Sequence, residues 1–227
     1  MLTSVAPPRD EAELRGRAAA LAGLTLADLA RALGRAIPRG GARTKGAAGA
    51  LVERALGATA GSTSRPDFPH LGIELKTIPV DAAGAPQEST FVCSISLSDA
   101  DRAEWETSRA RAKLAQVLWV PIVAAQGRPS EERRLGTPLL WRPTRAQEHV
   151  LRADFDELMG LIGIGAIEGL TAHAGRWLQV RPKAASGQSR TLAFGRDGEL
   201  IAALPRGFYL RPGFTGAILS DPAALPP

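Results

Sequence analysis

The chain has 227 residues, enough to bury a substantial core as one domain or one bilobed domain, and it shows no internal repeat. No apolar run is long enough to span a bilayer. The single cysteine excludes a disulfide framework, and the formal net charge of +5 suits a polyanionic partner.

The N-terminal MLTSVAPPRDEAEL has no signal-peptide character, so a soluble, reducing, cytoplasmic setting is expected. Residues 10–23 are good helix formers with Leu14, Leu21 and Leu24 on about one side. Thr25 followed by Asp28 predicts the cap of a second helix to about Leu33, and Pro38, Gly40 and Gly41 break it. Between Ala30 and Val52 the cations are Arg31, Arg35, Arg39, Arg43 and Lys45, with no acid among them. Residues 46–56 predict a helix closed by Gly57, with Ala48, Leu51, Val52, Ala55 and Leu56 as its apolar stripe. Glu53 lies off that stripe, the usual place for a solvated glutamate.

The stretch PDFPHLGIELKTIPV, Pro66 to Val80, is the one that suggests chemistry. Ile73, Leu75 and Thr77 alternate with Glu74, Lys76 and Ile78, the period of a strand, so Glu74 and Lys76 share a face. Asp67 lies just upstream, after a Gly/Ser/Thr-rich loop and a Pro, where a short turn can bring its carboxylate beside Glu74. Two hard oxygen ligands can hold Mg²⁺ while it keeps several waters, and a lysine beside such a water favours hydroxide. That equipment hydrolyses a phosphodiester. The alternative is an ordinary solvated strand face with Asp67 as a turn former.

Downstream, DAAGAPQE reads as a turn and FVCSISL as a second strand, in which Cys93 is a core or half-buried residue and not a nucleophile. WETSRARAKLAQV predicts a helix or helical turn carrying Arg109, Arg111 and Lys113, whose spacing also fits a solvated face, and LWVPIV a third strand. QGRPSEERRLGTP reads as a surface loop. Thr144 to Ile167 is the longest helical stretch, with Val150, Leu151, Leu158, Leu161 and Ile162 for the core and its acids on the outward face. RWLQVRPKA returns as a strand before the polar SGQSR loop. LPRGFYLRP is a turn or short strand, FTGAILS a short helix, and residues 220–227 a frayed tail. The expected class is α/β, mixed α+β. Basic segments at 30–52 and 173–211 flank an acidic one at 148–168, as two lobes gripping a phosphate backbone would require.

Pro66-Asp67, six intervening residues, Glu74, one residue and Lys76 make the PD-(D/E)xK nuclease signature. With KGAAGALVERALGATAGS before it, and WETSRARAKLAQVLWVPI, GTPLLWRP, LQVRPKA and LPRGFYL after it, the text from about residue 10 to 219 resembles the mismatch-repair endonuclease family MutH. The resemblance implies a restriction-endonuclease-like fold over 1–227, a central mixed sheet, and two lobes flanking a DNA cleft. It implies that Glu53, Asp67 and Glu74 ligate Mg²⁺, with Mn²⁺ as a substitute, while Lys76 activates the attacking water and Lys113 supports it. It also implies that Lys45, Phe91, Arg181, Pro182, Lys183 and Tyr209 approach DNA, the arginine and tyrosine reading the adenine of GATC. For Arg181 and Lys183 the alternative is phosphate holding, and for Tyr209 a half-buried strand aromatic.

Of the 28 cations 24 are arginine, and the four lysines, Lys45, Lys76, Lys113 and Lys183, all fall in the resembling segments. A compact point charge serves there where a planar fork does not, with chance as the alternative for so few cases. The implied activity is nicking of the unmethylated strand of hemimethylated GATC in methyl-directed mismatch repair, by a monomer that a MutL-like ATPase activates. The competing readings are a related GATC restriction endonuclease and a catalytically silent DNA-binding module.

Overall fold

The computed structural model describes residues 5–37, 46–61, 64–123, 129–167, 170, 174–183 and 188–226. In chain order the helices are α1 (Glu11–Leu21), α2 (Leu26–Ala32), α3 (Ala47–Leu56), α4 (Arg109–Leu114), α5 (Arg145–Gly163) and α6 (Pro212–Ser220). The strands are β1 (Glu74–Val80), β2 (Thr90–Ser94), β3 (Val117–Val123), β4 (Arg134–Leu135), β5 (Leu139–Trp141), β6 (Leu178–Pro182), β7 (Thr191–Phe194), β8 (Leu200–Ala203) and β9 (Arg206–Leu210). They form two compact units, Met1–Glu88 with Ala115–Arg142 and Ser89–Leu114 with Pro143–Pro227.

Local chemistry sets the helix ends of the first unit. The Asp10 carboxylate accepts from the Glu13 backbone to start α1, and Thr25 and Asp28 close a capping box on α2. Gly57 ends α3 at a φ of 79°, where an added Cβ would lie 2.4 Å from the Ala6 carbonyl oxygen. The sheet is mixed: β1 runs parallel to β3 from Glu74↔Val117 to Val80↔Val123, while β4 and β5 pair antiparallel with β3. One face of that sheet, with Leu75, Leu118, Val120 and Ile122, packs on Leu51, Val52 and Leu56 of α3 and on Leu14, Ala18, Leu26 and Leu29 of α1 and α2. Lys76 on the other face pairs across to Trp119, which is fully buried.

In the second unit β9 lies between β2 and β6, antiparallel to both, with a bulge between Phe91 and Cys93. A capping box of Thr144 and Gln147 starts α5, which buries Leu151, Phe155, Leu158, Met159 and Ile162. β7 and β8 form a separate hairpin.

Three expectations need correction. The polar stretch after β3 is not all loop: the described part holds β4, because Leu135 is buried and its backbone exchanges bonds with the 23–24 turn. The acids of α5 do not all face outward, since Asp154 is buried. The terminal segment to Pro226 is not frayed: the Gln147 amide donates to the Pro222 and Ala224 carbonyls, and the Pro226 carbonyl accepts from Arg176 and from the Trp177 indole. The part of the 34–44 segment beyond Ile37 lies outside the described residues.

Candidate active site

Six residues separate Asp67 from Glu74, and the backbone shows what that spacing does. Phe68 and Ile73 form an antiparallel bridge, with N–H to O distances of 2.9 and 3.3 Å in the two directions. Residues 68–73 are thereby closed into a tight loop, and Asp67 is brought opposite Glu74. The Asp67 carboxylate Oδ2 accepts from the Leu75 backbone at 2.8 Å, while the Asp67 carbonyl accepts from Thr59. Glu74 is fixed from the other side, its backbone N–H donating 2.9 Å to the Gln116 carbonyl.

Both carboxylates are buried, at 7% exposure for Asp67 and 3% for Glu74, so neither belongs to a solvated strand face. The Lys76 ammonium donates to Glu74 Oε1 at 2.7 Å, with the lysine side chain 14% exposed. A buried pair of charges at this distance is costly to separate, because removing one partner leaves the other unsolvated. The strand alternation placed Glu74 and Lys76 on one face, and the ion pair confirms it.

Glu53 sits on α3, half-buried, and its Oε1 lies 3.9 Å from where a Gly49 Cβ would be, with Thr77 Oγ1 at 3.3 Å from the same point. Thr77 is on the helix-packed face of β1, the opposite face from Glu74 and Lys76. Among the described residues no three His, Cys, Asp or Glu side chains gather in a way that could hold a metal ion. The place of Glu53 beside Asp67 and Glu74 rests on the family resemblance. Asp67 and Glu74 alone still fit Mg²⁺, which binds proteins through one or two carboxylates and keeps its waters.

Lys113 lies in the second unit on α4. It is buried while its neighbours Arg109 and Arg111 are exposed, which rejects the common solvated face. Arg111 instead pairs with Glu148 on α5 at 2.9 Å, and that hydrogen bond holds the Glu148 carboxyl below the usual carboxylate range.

The residues expected near DNA, apart from Lys45, which lies outside the described residues, lie on the β2–β9–β6 sheet or, for Lys183, directly after β6. Phe91 pairs with Tyr209 and Tyr209 with Gln179 across the three strands. The Phe91 and Tyr209 rings meet edge to face at 5.3 Å between centroids. The Lys183 ammonium lies 3.9 Å from the Phe91 ring centre and the Arg181 guanidinium 5.7 Å from that of Tyr209. Pro182, exposed, lies between them opposite Arg206. Gly207 makes this packing possible: a Cβ there would come 2.8 Å from Phe91 Cε2, 3.0 Å from the Cys93 carbonyl and 3.5 Å from Lys183 Cβ. Burial pushes the Tyr209 phenol up despite the nearby Arg181 charge, so it remains a neutral donor.

Sequence reasoning missed Asp154. Its carboxylate accepts from the Arg176, Trp177 and Leu178 backbones at 2.7, 2.7 and 2.8 Å, fixing the start of β6. An aspartate among other helix acids gives no such signal.

Residues 56–154 match the family model described as DNA mismatch repair enzyme MutH. The chain is 50% identical over 214 residues to the DNA mismatch repair protein MutH of Serratia proteamaculans, covering 94% of each. It is 48% identical to that of Histophilus somni (strain 2336) over 97% of this chain and 98% of the relative. With the protein of that name from Escherichia coli (strain K12) the identity is 47%, over 95% and 94%. The chain belongs to the MutH family. Its mixed sheet, with β1 parallel to β3, is consistent with the restriction-endonuclease-like fold expected of MutH. The Asp67, Glu74 and Lys76 group lies within the matched span, whereas Arg181, Lys183 and Tyr209 lie beyond it but within the length shared with the relatives.

Proposed function

We propose that this mismatch-repair endonuclease nicks the unmethylated strand of hemimethylated GATC by Mg²⁺-dependent phosphodiester hydrolysis. The observation that carries the reading is the buried Glu74–Lys76 pair with Asp67 brought opposite by the closed 68–73 loop. Asp67 and Glu74 would hold Mg²⁺, or Mn²⁺ in its place. Bound there, the ion supplies Lewis-acid polarisation of the phosphodiester.

Lys76, held at a fixed position by Glu74, presents a positive charge where the attacking oxygen becomes negative and stabilises it. Burial of both carboxylates, with Lys76 largely covered, limits water around the reacting groups, which strengthens each electrostatic contact. Lys113 takes the supporting role that the family resemblance implies, and its burial sets it apart from the exposed arginines of α4. Glu53, from α3, would join Asp67 and Glu74 as a third ligand, as the resemblance implies.

Arg181 and Tyr209 read the adenine. A guanidinium fork suits base acceptors, and a tyrosine wall against the exocyclic nitrogen leaves no room for an N6-methyl group. Phe91, Pro182 and Lys183 hold the backbone beside them, with Lys45. The protein works as a cytoplasmic monomer, activated by a MutL-like ATPase.

The test is cleavage of GATC duplexes that differ only in methylation, with and without Mg²⁺. The expected result is nicking of the unmodified strand of hemimethylated DNA, resistance of fully methylated DNA and slow single-strand cuts in unmethylated DNA. Tyr209→Ser should let methylated strands be cut. Equal cutting of all three substrates by the wild-type protein rejects the methylation-sensing reading.

A further inference from the structure

Arg181 is exposed on a long, flexible stem, yet two partners hold it. Its guanidinium lies over the Tyr209 ring, and its NH1 donates to Ser89 Oγ at 3.3 Å. Arginine can only donate, so the serine oxygen is the acceptor. Ser89 is itself held, because the Gln179 amide Nε2 lies 2.9 Å from the same oxygen. Gln179 is the rigid end of this chain: it is 8% exposed, two residues before Arg181 on β6, and directly paired with Tyr209.

We propose that Ser89, anchored by Gln179, is a positioning residue that presets the Arg181 guanidinium for DNA. The proposal rests on the reading that Arg181 contacts DNA. An arginine free in solution loses rotamer freedom when it docks, whereas one already held between a ring and a hydroxyl loses less. Ser89 needs no contact with DNA for this, since it acts through Arg181.

Two measurements on the full chain test it. In the DNA-free protein, NMR of the Arg181 side-chain Nε–H reads guanidinium order directly. Ser89→Ala should raise its mobility and Ser89→Thr, which keeps the hydroxyl, should restore it. Unchanged Arg181 order in Ser89→Ala overturns the proposal. Next, the affinity for a GATC duplex is measured for Ser89→Ala, Arg181→Ala and the double variant. A loss of about tenfold is expected for Ser89→Ala, the scale of a hydrogen bond to a charged group, and almost none on top of Arg181→Ala. Full additivity overturns the relay. If Arg181→Ala binds DNA as the wild type does, the DNA-reading role of Arg181 fails instead, and the NMR result decides the relay alone. Should Ser89→Ala perturb the fold, Gln179→Met removes the anchor while keeping the volume, and it carries the same expectations.

Discussion

Glu74 and Lys76 hold each other through one 2.7 Å bond in a nearly dry setting, so a change at either alters both. Asp67→Ala and Glu74→Ala should abolish cleavage with DNA binding largely retained, and full cleavage by either variant removes the metal assignment. Lys76→Ala should slow turnover on the order of a hundredfold or more, read as single-turnover rate at saturating DNA. Glu53→Ala should also impair cleavage, and wild-type cutting by that variant removes Glu53 from the site. Gly207→Ala tests the second group of residues. A methyl placed 2.8 Å from the Phe91 ring cannot be absorbed by the Cys93 carbonyl beside it, so Phe91 must move and release Lys183. The expected outcome is a stability loss of about 1–3 kcal/mol in urea titration, with weakened DNA binding. The spacing of Asp67, Glu74 and Lys76 was legible because a six-residue loop and a strand alternation are local. The burial of Lys113 was not, because it depends on how α4 packs within its unit.

Among the elements, the strongly patterned ones were readable: α2 with its cap, α3 with its closing glycine, β1, β3 and α5. The β7–β8 hairpin was not, since Leu192 and Leu200 are exposed and its strands bury little to mark a face. Nor was the anchor of β6 readable, because Asp154 lies 22 to 24 residues from the amides that it holds. Asp154→Ala should be among the more destabilising single changes in the chain. It leaves three backbone donors without their acceptor, two of them buried, at about 1–3 kcal/mol for each buried one. Chemical denaturation checks this, and a loss below about 1 kcal/mol would mean that water replaces the carboxylate. The start of α1 carries a pH dependence. Hydrogen bonds from the Arg9 backbone and side chain, then from Arg17, hold the Glu13 carboxyl at about 2, below its usual 4.5. The folded value is the lower one, so the stabilisation is complete above the unfolded value and is lost as pH falls through the folded one. Arg17 also donates to the Leu56 carbonyl at the end of α3. The melting temperature of Glu13→Gln should therefore lie below that of the wild type at neutral pH and converge with it as pH approaches 2. A gap that stays constant across this range assigns the effect to packing.

At the scale of the whole molecule, charge is unevenly distributed. The segment from Ala30 to Val52 belongs to the first unit and has cations without acids, whereas that from His173 to Arg211 belongs to the second and has seven cations against Asp197 and Glu199. The acidic α5 is partly neutralised within its own unit, Arg152 reaching both Glu106 and Asp156 and Arg111 reaching Glu148. Arg181 and Lys183 lie over aromatic faces, which leaves their charge available to a phosphate. Each cation that neutralises a DNA phosphate releases condensed counterions, so the logarithm of affinity should fall linearly with the logarithm of salt concentration. The slope counts the contacts. Replacing Lys183 by alanine should flatten it by about 0.9, the share of one phosphate contact, and weaken binding about equally on any sequence. Arg181→Ala should change the slope less than Lys183→Ala, yet reduce the preference for GATC over a scrambled duplex, because a base contact releases no phosphate counterion. Fluorescence anisotropy from low to physiological salt measures both quantities together. Equal slopes and equal loss of preference in the two variants would make Arg181 a phosphate holder like Lys183, and the reading of the adenine would then fall to Tyr209 alone.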